Sequence, residues 1–189
     1  PIAVGTQIVS ALQTIVAREV DPTREAVVTV GAFLAGDASN VIPDTATLRG
    51  TLRSFDPEIR KLLGSRVGEI ATGIGNAMRA TVEYTYSPGY PATINDPAQT
   101  EMVREVAVSL IGEENVLDGD LQMGAEDFSY FLERKPGCFF FTGTRDEGRG
   151  IHWGHHHPRF DVAEEGMAVG MEIMTSVVLR ALNEAGGTR

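Results

Sequence analysis

Apolar side chains at Ile8, Leu12, Ile15 and Val16 recur at helical spacing, so residues 6–20 are predicted to form a helix with one buried face. Asp21-Pro22 ends it, because the residue before a proline is driven out of the helical region. The spacing then becomes that of strands. Residues 26–36 (AVVTVGAFLAG) are β-branched and close on glycine, and residues 46–55 (ATLRGTLRSF) alternate polar and apolar as a half-buried strand does. The connector GDASNVIPD is rich in turn formers. Asp56-Pro57 opens a second helix, since Asp is a good N-cap and Pro suits the first helical position. Its apolar face is Ile59, Leu63, Val67, Ile70, Ile74 and Met78. Residues 80–86 (ATVEYTY) set Val82, Tyr84 and Tyr86 on one side and Thr81, Glu83 and Thr85 on the other, as a further strand would. The order α-β-β-α-β needs one leading strand to become β-α-β-β-α-β, the split-βαβ or ferredoxin-like arrangement, so a strand before residue 1 is expected.

Residues 87–97 (SPGYPATINDP) are the best candidate boundary. Beyond them, residues 98–111 read as a helix through Met102, Val103, Val106 and Leu110. GCFFFTG (137–143) is a short apolar run between glycines, the pattern of a buried strand, and residues 164–185 form a long helix rich in Met, Val and Leu. These elements cannot cover both faces of a buried strand, so this half is expected to be part of an α/β layer whose other strands lie elsewhere. The chain starts without an initiator Met or signal peptide and enters a helix almost at once, which leads us to expect a piece of a larger protein.

Composition narrows the functional classes. The length, 189 residues, fits one ordinary domain or two small ones, and 42% apolar content suffices for a core. Acidic residues number 26 against 16 basic, and the resulting net charge of -10 repels phosphate backbones, which argues against nucleic acid as a partner. No run of 18 apolar residues exists, so no membrane span is expected. The single cysteine, Cys138, cannot form an internal disulfide; this is compatible with a reducing compartment, and a cytoplasmic location is the expectation. Lying in GCFFF without a polar activator, Cys138 reads as a buried small hydrophobe.

All four histidines fall in GIHWGHHHPRF, at His152, His155, His156 and His157. Successive side chains in an extended loop diverge, so at most one or two can reach one ion. A neutral imidazole suits Zn, Mn, Ni or Co, and the other ligands would have to come from afar. A solvated, idle loop is the equal alternative. In MGAEDFSYF, Glu126 and Asp127 precede an aromatic helix start, where acidic residues complement the helix dipole; a carboxylate facing a site is the second reading. Asn40 sits in a turn, where an Asx-turn is its local role. Arg53 lies late on its strand, either as a rim charge or as a bidentate fork for a carboxylate.

Taken in order, GDASNVIPDTATLRGTLRSF, GYPATINDP, MGAEDFSYFLERKPGCFFFTGT and HHPRFDV resemble the M20 metallopeptidase/amidohydrolase family, in its aminoacylase-, hippurate hydrolase- and indoleacetyl-amino-acid-hydrolase-like branch. The resemblance runs along essentially the whole chain. It implies an α/β fold with an α+β lid: residues 1–92 as a ferredoxin-like lid/dimerisation domain lacking its first strand, and residues 93–189 as the C-terminal portion of a zinc-peptidase-like α/β catalytic domain. It implies that His156, two before the proline, is a metal ligand, that Asn40 and Arg53 hold the substrate carboxylate (in some relatives across a dimer), and that Glu126 lies at the site wall or faces substrate. His157 stands where the family tolerates Ser, and no role is carried onto it, His152 or His155. The EEGMAVGM stretch departs from the family's usual acidic-Leu-Pro-Ile-Gly pattern.

The family's D-M-D-A-L-P and C-G-H-D-x-H segments, its paired glutamate and the histidine before the lid's first helix do not occur in this chain and are expected upstream. No catalytic residue is therefore assigned here, and the general base is expected outside this sequence. For the intact protein the resemblance implies a likeness to enzymes that use two divalent ions (Zn, Mn, Co or Ni) to hydrolyse the amide of N-acyl amino acids or small peptides, as homodimers joined through the lid. The alternative reading is a non-catalytic dimerisation or ligand-binding module without a metal centre.

Overall fold

A computed structural model describes residues 1–186; the end of the predicted 93–189 segment, residues 187–189, lies outside the described residues. The chain divides into two compact units, one of Pro1–Ala92 with Leu121–Ser129, the other of Thr93–Asp120 with the chain from Tyr130. The fold is mixed α/β.

In the first unit, helix α1 (Ile2–Thr14) continues into a π-helical turn, Ile15–Glu19. Its predicted face is the buried one: Ile8, Leu12 and Ile15 are sequestered, with Val20 closing the stripe. Asp21 then accepts from the backbone and hydroxyl of Thr23, making a turn in place of further helix. Strands β1 (Ala26–Leu34) and β2 (Thr47–Ser54) pair antiparallel, with Val27 opposite Arg53 and Phe33 opposite Leu48. Val28 and Val30 share the inward face with Leu48 and Leu52, and an irregularity between Val30 and Ala32 shifts β1 so that Phe33 comes opposite Leu48 with its ring against Gly5 of α1. Helix α2 (Pro57–Ala77) starts as expected, with Asp56 accepting from the amides of Glu58 and Ile59. Leu63 is fully buried against the α1 stripe. Both helices thus cover one face of the hairpin. Arg66 fastens them, bonding Glu19 at 2.5 Å and also Glu69. Met78, expected on the buried face, caps α2 and is 42% exposed, because the helix ends before turning it inward.

Residues 80–86 differ from expectation: they form no strand, and the sheet has two strands. The alternation nevertheless governs packing. Val82, Tyr84 and Tyr86 lie against Gly75, Gly68 and Gly64 of α2, and a Cβ on Gly68 or Gly64 would stand 2.6 Å from the facing tyrosine ring. Tyr84 also donates its hydroxyl to the Gly64 carbonyl at 2.8 Å. Among the described residues no backbone neighbour pairs with this segment, so the four-stranded ferredoxin-like sheet is not formed.

In the second unit, helix α3 (Pro97–Ile111) is capped by Asp96, which accepts from the Gln99 amide, and buries Val106 and Ala107. It packs on the long helix α5 (Glu164–Gly186), to which Arg180 ties it through Glu105 at 2.6 Å. The predicted buried strand at 137–143 is a second difference. No strand is assigned there, and Phe141 is 71% exposed. A buried strand needs a neighbour on each flank, and here the segment is held at its start instead, with the Asp96 amide donating to the Gly137 carbonyl at 2.9 Å and Asn95 bonding both backbone groups of Phe139 at 2.8 Å. Cys138, expected to be buried, is half-buried beside the Asn95 amide.

Candidate functional site

The histidine run belongs to a loop of the second unit that is braced at both ends. Asp146 and Ile151 exchange backbone hydrogen bonds of 2.8 Å, closing a short antiparallel bridge. Arg149, on the intervening 3-10 turn, donates to Asp146 at 2.7 Å and to Glu165 of α5 at 2.7 Å. These bonds hold the Asp146 and Glu165 carboxyls below their ordinary range. The Ala163 amide donates to the Thr144 carbonyl, tying the loop's exit to its entry.

Within the loop, Trp153 and His157 stack face to face, with centroids 3.9 Å apart and planes 5° apart. The guanidinium of Arg159 stands 5.6 Å from the Trp153 centroid, and the Arg159 amide donates to His157 Nδ1. The His157 amide donates to the Gly154 carbonyl, so the chain turns tightly between them. His156 occupies the apex of that turn with φ of 67°, in the left-handed region that few non-glycine residues adopt. Its imidazole is exposed, and its neighbours' rings are engaged elsewhere: His157 on Trp153, and His155 edge-on to Phe160 at 4.8 Å. Of the four histidines, the turn thus presents His156 separately. Beside it, an open cavity of about 360 Å³ is lined by Ile151, His152, Trp153, His155 and Phe160, with Arg145 and Asp161 also at its wall.

The remaining candidates belong to the first unit. Arg53 is half-buried on the sheet face opposite the helices, and among the described residues it has no carboxylate partner. Arg24, by contrast, is paired with Asp56 at 2.7 Å. Asn40 is exposed in the 38–41 turn of the β1–β2 connection. Glu126 is half-buried and acts locally: its carboxylate accepts from the Phe128 amide at 3.1 Å, and its carbonyl accepts from the Ser129 hydroxyl at 2.6 Å. It starts the short helix α4 (Ser129–Leu132), as the helix-terminus reading anticipates. Asn40 and Arg53 thus share one hairpin, and His156 stands in a different unit.

Among the described residues, no three of His, Cys, Asp or Glu gather into a set that could hold an ion. His156 fits a metal as one donor, a solvent-facing imidazole, and the described residues by themselves supply no cage. The Trp153–His157–Arg159 assembly and the Arg149 network were not anticipated from the sequence. The interleaving of rings and cations in HWGHHHPR was their one visible trace.

Residues 5–180 match the model of peptidase family M20/M25/M40. IAA-amino acid hydrolase ILR1-like 4 of Arabidopsis thaliana is 35% identical over 97% of this chain and 43% of its own length. N-acetyl-L-cysteine deacetylase of Bacillus subtilis is 39% identical over 87% of this chain and 38% of its own. The crystal structure of Bacillus subtilis YXEP, described as a dinuclear metal-binding peptidase from the M20 family, superposes with a TM-score of 0.74 at 30% identity, covering 97% of this chain and 46% of that one. The chain therefore spans less than half the length of these relatives. With a match that runs through both units, it belongs to peptidase family M20/M25/M40.

Proposed function

We propose that the whole protein is a metal-dependent amidohydrolase that cleaves the amide bond of N-acyl amino acids or small peptides. The family match over residues 5–180 carries this reading. Two divalent ions, when bound, supply an activated water and a polarised amide carbonyl. This chain's part is to hold and orient. His156 gives its exposed imidazole to one ion, which is zinc, manganese, cobalt or nickel. Arg53 takes the substrate's free carboxylate in its guanidinium fork, with Asn40 as a second donor, and thereby fixes the amide's position. Glu126 faces the substrate or supports the wall from its cap position.

Residues 1–92 act as a ferredoxin-like lid and dimer contact, and residues 93–189 as part of the catalytic domain. Two features support the lid. Helices α1 and α2 share one sheet face, and the unpaired 80–86 segment leaves room for a further strand. The protein works in the cytoplasm as a homodimer joined through that lid.

The test is made on full-length protein. About two divalent ions per chain and hydrolysis of an N-acetyl amino acid are expected. A non-catalytic dimerisation or ligand-binding module would bind no ion tightly and release no amino acid.

A further inference from the structure

The sheet face turned away from the helices carries charge of one sign. Val28, Val30, Leu48 and Leu52 face the core, so strand alternation turns Val27, Thr29, Arg49, Thr51 and Arg53 to the other side. The register sets Arg49 beside Ala32, Thr51 beside Thr29 and Arg53 beside Val27. None of these positions holds an acid, in a chain whose net charge is -10. Among the described residues neither Arg49 nor Arg53 has a carboxylate partner. Charges that only keep an exposed face in solution come in both signs. Two cations without an acid build a positive potential that draws an anion. Arg53 has been given the substrate's free carboxylate; Arg49 has no task so far.

The spacing says what kind of anion suits both. Four residues along one strand separate the two Cα atoms by about 13 Å. Strand side chains lean along the strand, and bond lengths alone let an extended arginine place its guanidinium roughly 6 Å from its own Cα. Two such arms leaning toward each other leave a gap of a few ångströms. The carboxyl carbons of an extended glutamate, four bonds apart, stand roughly 5 Å from each other. Between the arms lies the exposed Thr29–Thr51 pair, short enough to keep the gap open and able to donate hydroxyls to a bound oxygen. A substrate with one carboxylate leaves Arg49 without a counter-ion, whereas one with two engages both forks.

We infer that Arg49 is a specificity residue that takes a side-chain carboxylate on the amino-acid half of the substrate, so that the enzyme prefers N-acyl glutamate to neutral N-acyl amino acids. The inference rests on the amidohydrolase reading and on Arg53 as holder of the free α-carboxylate. Both arginines belong to β2, so their spacing is independent of the second unit.

N-acetyl-L-glutamate and N-acetyl-L-glutamine, nearly equal in shape and different in charge, test it on metal-loaded full-length protein. The glutamate substrate should exceed the glutamine one by about tenfold or more in kcat/KM, chiefly through KM, as a charged hydrogen bond implies. Arg49→Gln should bring that ratio close to one, and Arg49→Glu should invert it. A ratio measured on one preparation does not depend on how much of it is folded. Equal rates in the wild type, or a ratio that survives Arg49→Gln, would overturn the role of Arg49. Hydrolysis of neither substrate would overturn the amidohydrolase reading instead, and calorimetric binding of the same two compounds to full-length protein then decides Arg49 separately. Tighter binding of the glutamate compound, lost in Arg49→Gln, upholds the assignment; equal affinities sink it.

Discussion

A methyl group built on Gly75 overlaps Cγ2 of Val82, so the extended segment after α2 lies as close to that helix as side chains allow. Gly75 is buried, and the Ala80 carbonyl also lies 3.2 Å from the same position. Val82 is β-branched and has little rotamer freedom with which to retreat. Gly75→Ala should therefore destabilise the protein by about 1–3 kcal/mol through overpacking. Gly73, two positions earlier on the same helix, has nothing within 4 Å of its would-be Cβ. There the same change should stabilise by up to about 1 kcal/mol through helix propensity alone. Urea denaturation of the pair should give opposite signs, and equal shifts would mean that the Val82 contact is not made.

Arg53 is half-buried without a carboxylate partner among the described residues, while six other arginines are ion-paired. Arg53→Ala in full-length protein should raise KM for an N-acyl amino acid and lower kcat/KM by roughly 10- to 150-fold, the worth of a charged hydrogen bond. Arg53→Lys should recover only part of this, because an ammonium cannot reproduce the two-pronged fork. Unchanged steady-state kinetics in Arg53→Ala would remove Arg53 from the site.

Local physics explains which elements could be foreseen. Asp56-Pro57 carries both the cap and the first-turn proline of α2, which starts where predicted; Asp96-Pro97 does the same for α3, which begins one residue before the predicted 98–111. The β1–β2 hairpin was likewise visible, because its alternation and its turn residues sit next to each other. For 80–86 the alternation correctly separated Val82, Tyr84 and Tyr86 from their neighbours, but alternation encodes sidedness, not pairing. A strand exists only where another backbone pairs along it, and among the described residues neither 80–86 nor 137–143 forms such a ladder. At the site, the clustering of histidines was plain, but their separate tasks were not. Whether an imidazole stacks, meets a ring edge or faces solvent depends on a turn whose apex is left-handed at His156.

The Arg149 bridge gives the histidine loop a defined pH response. Hydrogen bonds from the Arg149 side chain are the main reason that the Asp146 and Glu165 carboxyls titrate below their ordinary values of 3.8 and 4.5. A depressed carboxyl stabilises the folded loop above its unfolded-state pKa, and that contribution disappears as pH falls through the folded value. The Ile151 amide, which donates to the Asp146 carbonyl, should stay protected from hydrogen exchange near neutrality and lose protection below about pH 4, after correction for intrinsic rates. Arg149→Gln should lower that protection at neutral pH and flatten its dependence. An identical profile in the variant would show that the bridge does not hold the loop.

His156 carries a conformational cost that its neighbours do not. A non-glycine residue at φ of 67° costs on the order of 1–3 kcal/mol, and such strain persists where the surroundings enforce it and often where the side chain has a task. Two explanations of a damaged variant must be separated: loss of the turn and loss of the imidazole. Asparagine accepts the left-handed region more readily than most residues and is a poor substitute for imidazole as a transition-metal donor. His156→Asn should therefore leave the Trp153–His157 stack in place, read as an unchanged near-ultraviolet circular dichroism signal, while bound metal per chain falls in full-length protein. Hydrolysis should drop by more than the 10- to 100-fold, roughly, that loss of an outer-shell partner costs a metal site. His156→Gly, which relieves the strain and removes the ring, should lose metal to the same extent with equal or greater stability. Full metal content in both variants would make His156 a turn residue and return the loop to the idle reading.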